Sequence, residues 1–518
     1  MALSATLAKL AAHTELFAEL GHGIEKESLR VTRSGKLATS PHPPALGSAL
    51  THPQITTDFS EAQPELITGV HPNAEACLEE LDDIHRFVHA NLDNELLWSA
   101  SMPCMLGQNS DIPVGQYGTT NIARAKTVYR VGLGNRYGRL MQTISGIHYN
   151  FSLPEAVWPA FAEVRGIPAD ENTASIGYLD LVRNFRRHSW LLIYLFGASP
   201  ALCRSFVKEG TTHNLEAFDK GTLYLPYATS LRMGRLGYRS DAQSNLHVSY
   251  NTVGDYAATL REGLSTPYPP YEAYPTGQDG DYQQLNTCLL QIENEFYGTI
   301  RPKRTTHSGE RPISALLERG VEYVEVRCLD VNPFLPSGID AIQARFIDTF
   351  LLACLLRNSP KDKPSETASL SANQLTIVER GRAPGLALER EGNLVPMQEW
   401  AEELLDDCTA IAEVIDAHAG NDLHSYAVEC QRKKVADSEL TPSARMLQLM
   451  RDQNIPFYRF AMNQSLAHNG YFADHPLRDS QLDEYLSTAR TSIAKQTEME
   501  AATDESFEAF LEHYLAIP

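Results

Sequence analysis

Three acidic segments fall on an alternating, strand-like pattern: Gly23-Ile24-Glu25-Lys26-Glu27-Ser28-Leu29, Ile55-Thr56-Thr57-Asp58-Phe59-Ser60-Glu61-Ala62-Gln63-Pro64-Glu65, and Tyr323-Val324-Glu325-Val326-Arg327. Side chains two apart in a strand share a face at roughly 6–7 Å. Glu25 therefore points with Glu27, and Tyr323 with Glu325 and Arg327. Carboxylates crowded on one face repel unless a cation lies between them. Hard oxygen ligands that leave room for water and phosphate suit Mg²⁺, and an arginine two residues from such a glutamate suits a transferring phosphoryl group. The expected chemistry is metal-dependent ATP chemistry. Taken singly, each pair also fits the solvated outer face of an edge strand, the commoner fate of charged side chains.

The chain has 518 residues, 43% of them hydrophobic, enough for a large core in one domain or several. A formal charge of −21 gives no basic footprint for nucleic acid or an anionic membrane. Anionic substrates would have to be neutralised locally, by metal or arginine. Leu3, Leu7 and Leu10 lie at helical spacing, but Lys9, His13 and Glu15 interrupt them, so the opening reads as an amphipathic helix rather than a signal peptide. The apolar run 190–198 is half a membrane span, so no transmembrane helix is expected. Cys77, Cys104, Cys203, Cys288, Cys328, Cys354, Cys408 and Cys430 show no CxxC spacing and read as reduced thiols of a cytoplasmic protein.

Alternation and turn residues place strands over 23–31, 55–59, 65–68, 146–152, 246–251 and 321–329, and helical periodicity marks 74–97, 174–196 and 338–356, with helices dominating thereafter. The spacing is too irregular for a βαβ ladder. Gly132-Leu133-Gly134-Asn135-Arg136-Tyr137-Gly138 misses the dinucleotide fingerprint by one residue and lacks the acidic residue that should follow. These glycines are expected to shape a loop that carries Tyr129, Arg130 and Arg136 toward a ligand. Around His148 the sequence alternates, so Gly146, Asn150 and Ser152 share its face. A lone histidine is usually structural, yet these neighbours also admit a metal ligand or a nucleotide contact. The segment from Tyr224 to Arg232, with Gly237-Tyr238-Arg239-Ser240, fits either an amino-acid carboxylate held by arginine or an aromatic-packed surface loop. Ile292-Glu293-Asn294-Glu295-Phe296-Tyr297 and Arg301-Pro302-Lys303-Arg304 offer either charge to offset a triphosphate or solvated surface.

Taken together, Gly23-Ile24-Glu25-Lys26-Glu27-Ser28-Leu29-Arg30, Thr56-Thr57-Asp58-Phe59, Gln142-Thr143-Ile144-Ser145-Gly146-Ile147-His148-Tyr149-Asn150-Phe151, Tyr224-Leu225-Pro226-Tyr227-Ala228-Thr229-Ser230-Leu231-Arg232, Ile300-Arg301-Pro302-Lys303-Arg304 and Glu325-Val326-Arg327 resemble the bacterial glutamate–cysteine ligases of the proteobacterial type. The match runs in order from residue 21 to past residue 334, where Asp330-Val331-Asn332-Pro333-Phe334 continues it, and more loosely through Gly381-Arg382-Ala383-Pro384-Gly385-Leu386. The resemblance implies an α+β fold with a glutamine synthetase-like catalytic core: a curved antiparallel sheet forming a funnel, helices packed behind it, and a helical C-terminal part. It implies one catalytic unit over 1–518, with the motifs in 1–335 and a mainly helical part over about 336–518.

The implied reaction joins the γ-carboxylate of L-glutamate to the amine of L-cysteine through γ-glutamyl phosphate, with ATP, as the first step of glutathione synthesis. Position by position, the resemblance makes Glu25, Glu27, Asp58, Glu65, His148 and Glu325 the shell of two or three Mg²⁺ ions, with Mn²⁺ able to substitute. Arg327 and Arg232 become the catalytic cations. Tyr129, Arg130, Leu133, Gln142, Tyr238 and Tyr297 become substrate-binding, all but Arg130 as the cysteine pocket. A cytoplasmic monomer with neither nucleic acid nor membrane as partner is implied. Pro64 departs from the family pattern, and because proline cannot donate to a ladder it puts the pairing of Glu65 in question. The competing readings are a related ligase using glutamate with a different amine and a catalytically dead binding protein. The filled acidic and arginine positions weigh against the second.

Overall fold

The computed structural model describes residues 19–207, 210–236, 242–243, 246–307, 309–502 and 505–517. The expected opening helix and Tyr238 lie outside the described residues. Six strands, β1 (Gly21–Glu27), β2 (Ile55–Thr57), β3 (Pro64–Ile67), β4 (Ile147–Ser152), β5 (Ile300–Lys303) and β6 (Tyr323–Leu329), form one sheet in the order β5-β6-β4-β1-β3-β2. Every neighbouring pair is antiparallel. The alternation of strand side chains sorts the sheet into two unlike faces. Ile24, Leu66, Ile147, Tyr149, Phe151, Val324 and Val326 all lie buried on one, each contributing roughly 1.5–3 kcal/mol. The acidic residues occupy the other. β1 and β3 are interior strands, so the reading of their acids as the outer face of an edge strand does not hold.

Helices cover the apolar face. In chain order the helices include α1 (Ala74–Ala90), α2 (Asn121–Tyr137), α3 (Thr173–His188), α4 (Trp190–Phe196) and α5 (Ala341–Leu356), of which all but α2 pack on that face. Leu81 and Ile84 of α1, Phe185 of α3, Leu192 of α4 and Phe346 of α5 join the strand residues in one hydrophobic cluster. Three of the helices start where the sequence supplies a cap: Asn73 accepts from the Ala76 amide at the start of α1, Thr120 from Ala123 at α2 and Asp340 from Gln343 at α5. His22 of β1 and Tyr149 of β4 both reach Asp348 of α5, at 3.0 and 2.8 Å, and so tie two central strands to the helix behind them. From 364 onward the described chain is mostly helix, interrupted by a hairpin, Ala387–Arg390 with Asn393–Pro396, that the periodicity did not announce.

Four expectations need correction. The helix expected over 74–97 stops at Ala90, and Glu95–Leu97 turns back to pair with Arg30–Thr32. Residues 246–251 form no strand, because side chains take the place of a partner: the Ser249 and Tyr250 amides donate to Thr259 and Asp362. The glycine-rich stretch 132–138 is not a loop but the end of α2, closed by Gly138 at φ +87°. A Cβ at Gly132 would come within 2.2 Å of the Gln291 side chain, so that glycine serves close packing rather than flexibility. The cysteines are not all free: Cys104 and Cys203, 99 residues apart, are bonded across a Cα separation of 5.4 Å. Pro64, by contrast, does no harm. It opens β3, where a missing amide is tolerated, and Glu65 pairs with Glu27 on one side and Thr56 on the other.

Candidate active site

Strand register builds the site. Glu25 lies opposite His148, Glu27 opposite Glu65, and Glu325 opposite both Asn150 and Arg301. Asp58 follows directly on β2. A cavity of about 280 Å³ results, and its lining includes Glu25, Glu27, Asp58, Glu65, His148 and Glu325. Arg130, Arg232 and Arg327 line it too, as do Tyr129, Leu133, Gln142 and Tyr297. Every described residue to which the resemblance gave a metal, catalytic or substrate role is therefore gathered in one place.

The carboxylates differ in their surroundings. Glu325 is buried, which works against its charge, but Lys303 at 3.3 Å, Arg327 at 2.8 Å and Arg301 at 4.0 Å hold it well below the usual carboxylate range. Glu65 has only the charge of Arg130 on its side, and that does not suffice. Burial first, then the charges of Glu25, Asp58 and Glu27, push its pKa well above the ordinary value. Burial and Asp58 likewise push Glu27 up to about 8, although its Oε2 accepts from the Gly146 amide at 2.7 Å. Burial and the charge of Glu325 raise Glu25, but the His148 hydrogen bond, with Lys303, outweighs them and leaves Glu25 below its ordinary value. His148 itself is pushed down by burial and by Arg327, which keeps the imidazole neutral and able to donate an electron pair.

Ligand atoms of Glu25, Glu65 and His148 all lie within 4.8 Å of one another. His148 Nδ1 is 3.2 Å from Glu25 Oε2, and its Nε2 3.8 Å from Glu27 Oε1. Asn150 donates to Glu25 Oε1 at 2.9 Å, and its own Oδ1 is buried without a hydrogen-bond partner. Hard oxygen donors in excess of their counter-charge, beside one neutral imidazole, fit a divalent cation of the Mg²⁺ or Mn²⁺ kind.

The cations line the same cavity as the acids. Arg232 is buried, donates to the Arg327 carbonyl at 3.1 Å, and lies so close to Gly146 that a Cβ there would come within 2.0 Å of it. Arg130 donates to the Asp58 and Thr57 carbonyls and stacks on Tyr117 at 4.6 Å. On the remaining wall, α2 presents Tyr129 and Leu133, and Gln142 donates to the Tyr297 hydroxyl at 3.0 Å. Arg136, expected to face a ligand, is instead buried against Glu295 at 2.9 Å. Arg301 and Lys303 were legible only as a charge cluster. Their spacing of two residues, the signal that exposed Glu25 and Glu27, would have placed both on the face of Glu325.

Comparison with known proteins decides the family. The profile of the family described as Glutamate-cysteine ligase matches residues 6–377. A Pseudomonas fluorescens protein named glutamate–cysteine ligase is 51% identical over 506 residues, covering 98% of this chain and 95% of its own. Its namesake from Pseudomonas aeruginosa is 52% identical over 517 residues, 99% of this chain and 98% of its own. The chain belongs to the glutamate–cysteine ligase family.

A solved glutamate–cysteine ligase from Francisella tularensis, in complex with AMP, superimposes with a TM-score of 0.90 at 36% identity, covering 96% of this chain and 98% of its own. The open antiparallel sheet with helices behind it is thus shared with a glutamate–cysteine ligase of known structure. None of the described helices of this family member is long and apolar enough to cross a membrane.

Proposed function

We propose that the protein joins the γ-carboxylate of L-glutamate to the amine of L-cysteine, converting ATP to ADP and phosphate, in the first step of glutathione synthesis. The observation that carries this reading is the convergence in one cavity of an undercompensated acidic corner, a cationic side and a polar aromatic wall, in a chain about half identical to proteins named for that activity. The sheet's acidic face corresponds to the funnel of a glutamine synthetase-like core. Glu25, Glu27, Asp58, Glu65, His148 and Glu325 would hold two or three Mg²⁺ ions. Bound there, the ions would supply positive charge against the polyphosphate and the substrate carboxylate.

The residues of this chain divide the work. Arg327 and Lys303 carry positive charge into the cavity beside Glu325, where charge gathers on the transferring phosphoryl oxygens. Arg232 holds a carboxylate or phosphoryl oxygen from the adjacent side. The γ-carboxylate oxygen attacks the terminal phosphorus of ATP and ADP leaves. The cysteine amine then attacks the acyl phosphate, and phosphate and a proton depart. Tyr129, Leu133, Gln142 and Tyr297 form the wall against which the amine acceptor is held. A second cavity of about 320 Å³ shares Asn294, Arg301 and Lys303 with the first and is walled by Leu260, Ile313 and Leu316, which suits an adenine ring beside its phosphates. No cysteine of the protein lines the catalytic cavity, in keeping with a route that needs no covalent enzyme intermediate. We place the enzyme in the cytoplasm as a monomer. Incubation with ATP, Mg²⁺, glutamate and a panel of amines, read by phosphate release and mass spectrometry, tests the reading. Cysteine is expected to be the best acceptor, and phosphate release indifferent to cysteine would defeat it.

A further inference from the structure

Glu295 lines the catalytic cavity yet has none of the roles above, and its carboxylate is wholly withdrawn from solvent. One oxygen accepts from Arg136 Nη1 at 2.9 Å and from the Tyr137 hydroxyl at 2.7 Å, and the other from the Gln291 amide at 2.6 Å. With three donors on two oxygens, it has little capacity left for a metal or a substrate amine. Arg136 is equally committed, to Gln284 at 2.9 Å and to the Asn286 carbonyl, with its plane 4.2 Å from the Tyr271 ring. A buried ion pair is weak evidence of stabilisation, because desolvation offsets much of its attraction. What this one does is begin a chain of hydrogen bonds.

The Tyr137 hydroxyl, donating to Glu295, accepts from Gln243 Nε2 at 3.0 Å. Gln243 also donates to the Glu295 carbonyl at 2.9 Å and accepts from the Tyr297 amide at 3.1 Å. Tyr297 in turn accepts from Gln142 through its hydroxyl at 3.0 Å. The series therefore runs from a buried ion pair to two polar residues of the acceptor wall. Tyr297 lies between the short turn Glu293–Glu295 and β5, in neither helix nor strand, so no regular element fixes its place. Side chains that set substrate geometry need such support from behind.

We infer that Glu295 is a positioning residue: acting through Tyr137 and Gln243, it sets Tyr297 and Gln142 and thereby the fit of the acceptor amino acid, without touching the phosphorylation of glutamate. The inference rests on the ligase reading and on Tyr297 and Gln142 facing the acceptor. Two variants test it, Glu295→Gln and Tyr137→Phe. The second removes only the linking hydroxyl and leaves the Arg136–Glu295 pair in place, so it decides the matter alone if the first does not fold. Steady-state kinetics on each substrate should show KM for cysteine raised about tenfold, the scale of one lost hydrogen bond. KM for glutamate and ATP should stay within about twofold in the same enzymes. A folded Tyr137→Phe enzyme with unchanged KM for cysteine, or with all three KM values raised in parallel, would overturn the inference. Wild-type enzyme run beside the variants separates the two readings: if it makes no γ-glutamylcysteine the ligase reading fails, whereas an active wild type matched by its variants sinks only the role of Glu295.

Discussion

Arg327 and Lys303 reach the same carboxylate, Glu325, from neighbouring strands at 2.8 and 3.3 Å. Only Arg327 carries a planar fork able to hold two phosphoryl oxygens at once, and that contact strengthens as charge moves onto them. Arg327→Lys should lower kcat by roughly ten- to a thousandfold with smaller changes in KM. Steady-state kinetics check this, and a large rise in one KM with kcat untouched would make Arg327 a ground-state binding residue instead. Glu27 is the complementary case. It stands among acids that lack compensating charge, so Glu27→Gln should cut turnover about a hundredfold or more and weaken the dependence on Mg²⁺. With chelator present and above about pH 8, where Glu27 ionises, the variant's melting temperature should hold or rise, because one repulsive charge is gone; a fall on melting would mean that Glu27 braces the fold. Both residues were legible in the sequence, because strand alternation fixes which side chains share a face. That Glu325 is neutralised by protein cations while Glu65 is not was illegible, because it depends on which strand lies next to β6.

At the scale of elements, α2 shows why the glycines misled. Gly132 and Gly134 weaken a helix on propensity alone by about 1 kcal/mol each, and the stretch was expected to form a loop. The structure keeps the helix, and Gln291 packs into the gap at Gly132, its amide bonded to the Leu285 amide and the Tyr129 carbonyl at 2.9 and 3.2 Å. Gly132→Ala should therefore destabilise by about 1–3 kcal/mol through overpacking, against the gain that propensity alone would bring. Thermal melting reads the sign, and a stabilised variant would contradict the close approach. The link from β1 to α5 is open to a pH test. Burial works against the His22 charge, but Asp348 wins and raises its pKa above 6.5. A histidine raised in the folded state contributes stability that is complete below its unfolded pKa and is lost as pH rises through its folded value. Asp348→Asn should thus lower the melting temperature more near about pH 6 than near pH 8.5. An equal loss at both would show that His22 is neutral throughout.

For the molecule as a whole, the acidic strands and the helices behind them were readable from period-2 and period-3.6 patterns, as Glu25 with Glu27 and Phe346 with Phe350 illustrate. Long-range facts were not. The pairing of Glu95–Leu97 with Arg30–Thr32 and the bond between Cys104 and Cys203 depend on how distant segments meet, and no local spacing encodes that. Glutamate–cysteine ligation itself rests on whether the single cavity that gathers acids, arginines and an aromatic wall forms a γ-amide bond. The decisive measurement is the structure of the product from purified enzyme with ATP, Mg²⁺, L-glutamate and L-cysteine, determined by mass spectrometry against α- and γ-linked standards. The account predicts γ-glutamylcysteine in equal amounts with ADP and phosphate; an α-linked dipeptide, or ADP formed with no dipeptide at all, would contradict it.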